Sequence, residues 1–283
     1  MIRHTIDILR RYRSHFRNWI SVMYHTYHGD SMVDIVLRSG YRDRVSFDYV
    51  VNIARYNGDM KIETLLEMLK NGKVPYKKDT ITLRGAPQNG DPFRVFVYEE
   101  YKFLEAAGKT VIDVGANIGD TAIYFAINGA RRVISLEPFP HSYEYAVSNV
   151  NDNGLVSNVI LLNAGYGTGS EVEVDEKYVS GIGTVLSPTS GGKKIKIYSL
   201  KRLFEEFGVD SAVAKFDCEG CEYGLLEEDE STLRKIEKIA MEYHHGPDTI
   251  QEKLESSGFK VIVQRSQRNR MMGNIYAERA AGT

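Results

Sequence analysis

Asp113 and Asp120 bracket a turn that holds Gly115, Ala116, Asn117 and Gly119, in the run Val111-Ile112-Asp113-Val114-Gly115-Ala116-Asn117-Ile118-Gly119-Asp120. Glycines at these places let a ligand lie close to the backbone, where a side chain would collide. Apolar residues lead into the turn, and Thr121 to Ala126 follow it with helical apolar spacing. The pattern predicts a buried strand, a tight turn and a helix with free N–H groups at its start. That is the first βα turn of a nucleotide-binding half-fold. A dinucleotide fingerprint requires Gly-x-Gly-x-x-Gly. Counted from Gly115, the third position is Asn117 and the sixth is Asp120, so the match fails. Two acids would also repel a pyrophosphate. They suit a ligand with a cationic amine and a sulfonium, such as S-adenosylmethionine.

A further acid, Glu137, follows the β-rich run Arg132-Val133-Ile134-Ser135-Leu136. At the end of a second strand it would take both hydroxyls of a ribose. Asp113 as a turn cap and Glu137 as a solvated strand end would explain either residue alone. The pair, with both glycines between, favours ligand binding.

Asp217 follows the apolar run Ala212 to Phe216 and is placed to take a proton or orient an acceptor. Glu219 and Glu222 are near it in sequence, and Glu242, His244 and His245 end another apolar run. His244 is a second candidate base, since an unperturbed histidine titrates near neutrality. Capping of the next helix is an equal reading of Glu219 and Glu222. Asp217 with Glu242 would offer Mg²⁺ two carboxylates, but nothing in the spacing requires a metal. Cys218-x-x-Cys221 is half of a zinc or redox motif, and two small buried thiols is the simpler reading. The segment after Phe216 lacks the Asn/Asp-Pro-Pro-aromatic pattern used to methylate exocyclic base nitrogens.

These residues need a sheet to hold them. From about residue 101 strands and helices alternate: strand 110–114, helix 119–128, strand 132–136, helix 140–151, strand 159–162. Asn163 and Ala164 after that third strand are placed to meet an adenine edge. Strands at 171–174 and 194–197 bracket a Gly/Ser-rich insert, Gly181 to Gly192, expected to be a mobile cover over the acceptor site. Helix 199–207, strand 212–216, strand 236–243, helix 251–257 and strands 259–264 and 274–277 complete the series. The last two strands, with no helix between them, must run antiparallel. Residues 1–100 lack this alternation and read as an α+β accessory region, with a helix over 2–24, a hairpin near 33–47, a helix over 62–69 and strands at 81–83 and 93–97.

The chain has 283 residues, 42% hydrophobic and 26% charged, with a net charge of −2. Such a balance gives no overall drive toward nucleic acid or anionic membrane. Two cysteines argue against a disulfide framework and point to a reducing, cytoplasmic setting. No apolar run approaches the ~20 residues of a membrane span. Arg3, Arg10, Arg11, Arg13 and Arg17 make residues 2–24 basic, so peripheral membrane contact there is one reading, and a helix packed on the domain is the other.

Four stretches in order resemble the FkbM family of S-adenosylmethionine-dependent methyltransferases. They are Val111 to Thr121, Leu136-Glu137-Pro138, Asn149-Val150-Asn151 and Lys215 to Tyr223. The resemblance covers about 105–265. It implies a seven-stranded, doubly wound class I methyltransferase sheet (Rossmann-like α/β), with methyl transfer usually to oxygen and often on sugar or polyketide hydroxyls. It also implies that Asp113 and Gly115 flank the methionine moiety, with Asn117 and Asp120 near it, and that Glu137 takes the ribose. The expected activity is therefore O-methylation of a sugar or glycan hydroxyl. An RNA ribose methyltransferase and a non-catalytic cofactor-binding module docking through its basic first helix are the alternatives.

Overall fold

The computed structural model describes residues 2–56, 58–85, 91–175, 192–266 and 269–279. The expected cover at Gly181 to Gly192 falls almost entirely outside them. The chain forms two compact units: Met1–Ile81 with Ala86–Tyr98, and Thr82–Gly85 with Glu99–Thr283.

In the first unit the single helix expected over 2–24 is two, α1 (Ile2–His15) and α2 (Trp19–His28). The break has a clear cause. Phe16 bridges to Leu37, and the Asn18 side-chain oxygen accepts from the Val36 N–H while its amide donates to the Asp34 carbonyl. Strand pairing thus captures residues that apolar spacing alone assigns to a helix. The hairpin is β1 (Met32–Val36) and β2 (Arg42–Ser46). Helix α3 (Phe47–Arg55) follows at once, with Ser46 accepting from the Tyr49 N–H as its cap. Helix α4 (Ile62–Lys70) leads to the two-stranded pair β3 (Lys73–Tyr76) and β4 (Asp79–Thr82). Phe93–Val97, expected as a strand, is a π-helical turn. Phe93, Val95 and Phe96 are all buried there, two of them adjacent, a pattern that a strand with one covered face does not give.

The second unit is a seven-stranded sheet. Its parallel part comprises β5 (Thr110–Val114), β6 (Arg132–Leu136), β7 (Val159–Leu162), β11 (Ala212–Phe216) and β12 (Ile236–Tyr243). Between β7 and β11 lie β8 (Ala164–Tyr166), β9 (Glu171–Val174) and β10 (Lys193–Tyr198), which make a separate three-stranded sheet. The last strands, β13 (Phe259–Arg265) and β14 (Gly273–Arg279), are antiparallel, and β14 inserts between β12 and β13. The order is β13-β14-β12-β11-β5-β6-β7. This is the class I methyltransferase arrangement, with its reversed β14. Helices α5 (Asp120–Ile127), α6 (Pro140–Asp152), α7 (Leu200–Phe207), α8 (Glu230–Leu233) and α9 (Asp248–Ser256) connect the strands.

The central strand β5 is buried along its whole length, as expected of a parallel strand covered on both faces. One core runs under the sheet from Ile112 and Ile134 through Phe216 to Tyr243 and Ile275. The parallel strands all end at the same edge, and the sheet delivers Gly115, Glu137, Asn163, Asp217 and His244 there, one residue past each strand.

Candidate active site

Gly115 and Gly119 both adopt positive φ, at 81° and 84°. Their necessity is partly internal. A Cβ on Gly115 would lie 1.9 Å from the Asp217 carbonyl oxygen, so the β5 turn and the β11 turn approach backbone to backbone. A Cβ on Gly119 would lie 3.1 Å from Ala146 Cα of α6. Gly115→Ala adds a collision to the left-handed penalty, so it should cost at least about 2 kcal/mol of stability. Urea unfolding checks this, and an unchanged midpoint would show that the two turns are not locked together.

Asp113 is fully buried beneath the turn. Lys215 Nζ lies 3.2 Å from its carboxylate, and the Thr121 and Ser135 hydroxyls donate to it. Lys215 also donates to the carbonyls of Val114 and Gly115, at 3.2 and 2.6 Å. Burial opposes the lysine's charge, but Asp113, Asp217 and Asp120 together raise its pKa above the usual lysine value. Three carboxylates therefore act on one ammonium, Asp113 by direct contact. The sequence alone sets Asp113 against the ligand. In the structure its first role is to tie β5, β6 and β11 together through Lys215, and its charge reaches a ligand as field rather than by contact.

Glu137 is buried, with Oε2 accepting the Asn117 N–H at 2.8 Å and Oε1 accepting the Phe139 N–H at 2.9 Å. Burial pushes its pKa up to about 8, against those two donors and the Lys215 charge. Asn117 sits at φ 48°, a left-handed conformation that asparagine tolerates better than most residues. Its Oδ1 is buried without a hydrogen-bond partner. Asn163 stands, by sequence position, where it could meet an adenine edge. Its amide nitrogen instead donates to the carbonyls of Glu137 and Pro138, and the Ala164 N–H also donates to Glu137. Both brace the Glu137 turn, so neither donor is presented to a base. Ala164 also opens β8 rather than lying in a loop.

His244 requires a correction. Its Nδ1 lies 3.0 Å from Glu222 and its Nε2 3.1 Å from Glu219. Burial disfavours its charge, but the two carboxylates outweigh that and push its pKa up to about 10. An imidazolium held at both nitrogens has no lone pair to offer at neutral pH, so the contacts favour a clamping role for His244 over that of a base. Glu219 is engaged in the same ion pair. Glu222, fully buried, also accepts from the Gly220 N–H and the His244 N–H. The cluster clamps the turn after β11 onto the end of β12. Cys218 and Cys221, expected as free thiols, form a disulfide across the same turn. The cysteine count consequently carries no argument for a reducing compartment, and disulfide-bonded sulfurs cannot ligate zinc as thiolates. Among the described residues no three His, Cys, Asp or Glu side chains are grouped to hold a metal, and no helix is long and apolar enough to cross a membrane.

Two residues of the site escape sequence reasoning. Tyr101 Oη donates to Asp217 Oδ2 at 3.0 Å, from more than a hundred residues away. Its ring lies against Lys215, whose Nζ is 5.8 Å from the ring centre. Asn149 is fully buried and donates to the Ile118 carbonyl within the glycine turn and to the Arg84 carbonyl. Its motif is visible in the sequence, but its partners are set by the tertiary fold.

The glycine turn, buried Glu137 and reversed β14 all point one way, and a family model for the methyltransferase FkbM domain matches residues 113–270. The chain belongs to the FkbM methyltransferase family. It is an S-adenosylmethionine-dependent methyltransferase. Solved structures similar to it include a putative rRNA methylase from Clostridium thermocellum, with 11% identity over 66% of this chain and 95% of that one and a TM-score of 0.43. Another is a putative tRNA methyltransferase of Streptococcus pneumoniae in complex with S-adenosyl-L-methionine, with 16% identity, 65% and 72% coverage and a TM-score of 0.43. A third is a ribosomal protein L11 methylase from Lactobacillus delbrueckii subsp. bulgaricus, with 17% identity, 73% and 90% coverage and a TM-score of 0.41. No curated protein matches the chain. The residues at the carboxyl edge fit the cofactor. Asn117 carries an acceptor that the protein itself leaves unpaired, Glu137 closes the turn past β6, and the carboxylates acting on Lys215 favour a cationic ligand.

Proposed function

We propose that this FkbM methyltransferase methylates a hydroxyl of a sugar or a sugar-bearing small molecule, with Asp217 taking the hydroxyl proton. The observation that carries this reading is the Tyr101–Asp217 hydrogen bond. It fixes the carboxylate of a half-buried residue at the end of β11, whose backbone carbonyl packs against the Gly115 turn. Bound S-adenosylmethionine supplies a methyl carbon activated by its sulfonium. Glu137 would accept the ribose hydroxyls, and Asn117 Oδ1 would accept a donor of the ligand. Gly115, Ala116 and Asp120 would line the methionine side with Asp113 acting from beneath as field, while Pro138, Asn163 and Ala164 shape the turn on the adenine side. Asp217 would orient the acceptor oxygen and hold its proton as the new bond forms. Residues 1–100 would serve as an accessory region.

An uncharged acceptor suits the charge distribution better than RNA does. The second unit has 21 lysines and arginines against 28 aspartates and glutamates, a net charge of −7. A polyanion gains no electrostatic drive from such a surface. Transfer of labelled methyl groups to a glycoside panel tests the proposal. Label on a sugar oxygen is the expected result. Label on RNA, with binding that falls steeply as salt rises, would replace it with the RNA reading.

The state of Glu137 adds a pH prediction. Ribose hydroxyls donate to a carboxylate, so the ionised form should bind better. With its pKa at about 8, cofactor affinity should rise from pH 6 toward 9 and level above that. Below the pKa the fall approaches roughly tenfold per pH unit. Glu137→Gln should flatten the dependence, and calorimetry across pH in both proteins would show whether it does.

A further inference from the structure

Helix α2 carries an apolar ridge on its outer face. Ile20, Tyr24 and Tyr27 recur at helical spacing and are 67%, 60% and 88% exposed. Val22 and Thr26 on the opposite face are buried, so the helix is anchored and its ridge is left outward. Elsewhere among the described residues the most exposed large hydrophobics, such as Val156, Ile262 and Met271, are far apart in sequence and lie on different elements. Single exposed apolar residues are ordinary, whereas an ordered ridge marks a face for contact. Trp19, half-buried, starts the same helix, and Arg17 lines one surface depression with Trp19, Ile20 and Tyr24. Arg11 and Arg13 of the adjoining α1 are exposed. The first unit as a whole has 15 lysines and arginines against 10 acids, a net charge of +5, while the full chain is at −2.

We propose that the α2 ridge seats this unit on an anionic lipid bilayer, its Ile, Trp and Tyr side chains in the headgroup boundary and its arginines on the lipid phosphates. Trp and Tyr are suited to that boundary because each joins an apolar ring to a polar tip. A helix of this kind lies in the interface plane and does not cross it. Charge selects the occupant. A second copy of the chain would bring arginine against arginine. RNA would use the cations and the tyrosine faces but leave Ile20 without a role. An anionic bilayer uses the ridge and the cations together.

The test is flotation of the full-length protein with vesicles of phosphatidylcholine alone and of phosphatidylcholine with phosphatidylglycerol. Binding to the anionic vesicles only, falling with salt, is expected. The triple variant Ile20→Ser, Tyr24→Ser, Tyr27→Ser should lose at least about tenfold of that binding, as should Arg11→Gln with Arg13→Gln. All variants should keep the wild-type circular dichroism spectrum and urea midpoint, which shows that the first unit is folded. The substituted positions are exposed, so their replacement does not open the core. No binding to anionic vesicles, or equal binding by the triple variant, overturns the proposal. So does a wild-type dimer that ignores vesicles and becomes monomeric in the triple variant, or an RNA affinity lost in its place.

Discussion

Asp217→Asn should lower kcat by roughly 10²–10⁴-fold while leaving cofactor affinity within about twofold. The amide keeps the shape and one acceptor but cannot take a proton. Asp217 also closes the turn after β11, its N–H donating to the Val114 carbonyl. A purely structural role would therefore appear as lost stability with turnover per folded molecule preserved. Measuring kcat and the urea midpoint on the same preparation separates the two. Tyr101→Phe refines the result. It removes the hydroxyl that holds Asp217 and leaves the ring against Lys215. It should lower kcat by about tenfold and shift the pH–rate profile, because an aspartate relieved of a donor ionises less readily. Near-normal transfer by Asp217→Asn would place the base on a residue other than Asp217.

His244→Ala should be the most destabilising substitution at the site. It leaves Glu222 fully buried without its ionic partner, a loss of about 3–5 kcal/mol for a broken buried pair. The pH dependence has a definite sign. The folded pKa of His244, about 10, lies above its ordinary value of 6.5. The cation's contribution to stability is thus complete below pH 6.5 and disappears as pH rises through 10. The stability difference between wild type and His244→Ala should be largest near pH 6 and should shrink across pH 7–10. Urea unfolding of both proteins at several pH values measures it. A difference that stays constant with pH would mean that His244 is neutral in the fold, and the base assignment would reopen.

The sheet is legible in the sequence because parallel strands buried on both faces leave continuous apolar runs. β5, β6 and β11 are largely of this kind, β12 is so over Ile239 to Met241, and the spans match. The turns past them are legible for a related reason: glycines and acids are unfavourable at the end of a buried strand unless a turn or a ligand uses them. What escapes depends on partners distant in sequence. Apolar spacing alone does not show that Asn18 will pair with the hairpin and break the first helix, or that Phe93 to Val97 will coil and not extend. Nothing near Tyr101 announces Asp217, and nothing near His244 announces two carboxylates that favour its protonated form. The glycine turn is a place of close approach, as its residues predict, but the group approaching Gly115 includes the protein's own Asp217 carbonyl. Asn163 has a plausible role by position, and the hydrogen bonds give its amide to the Glu137 turn.

Calorimetric titration of the purified protein with S-adenosylhomocysteine and, separately, with NAD tests the central claim most directly. Binding of S-adenosylhomocysteine, weakened by roughly 1–3 kcal/mol in Glu137→Ala, and no measurable binding of NAD are expected. Tight NAD binding without S-adenosylhomocysteine binding would contradict it, and an unaltered affinity in Glu137→Ala would remove the Gly115–Glu137 edge from the cofactor site.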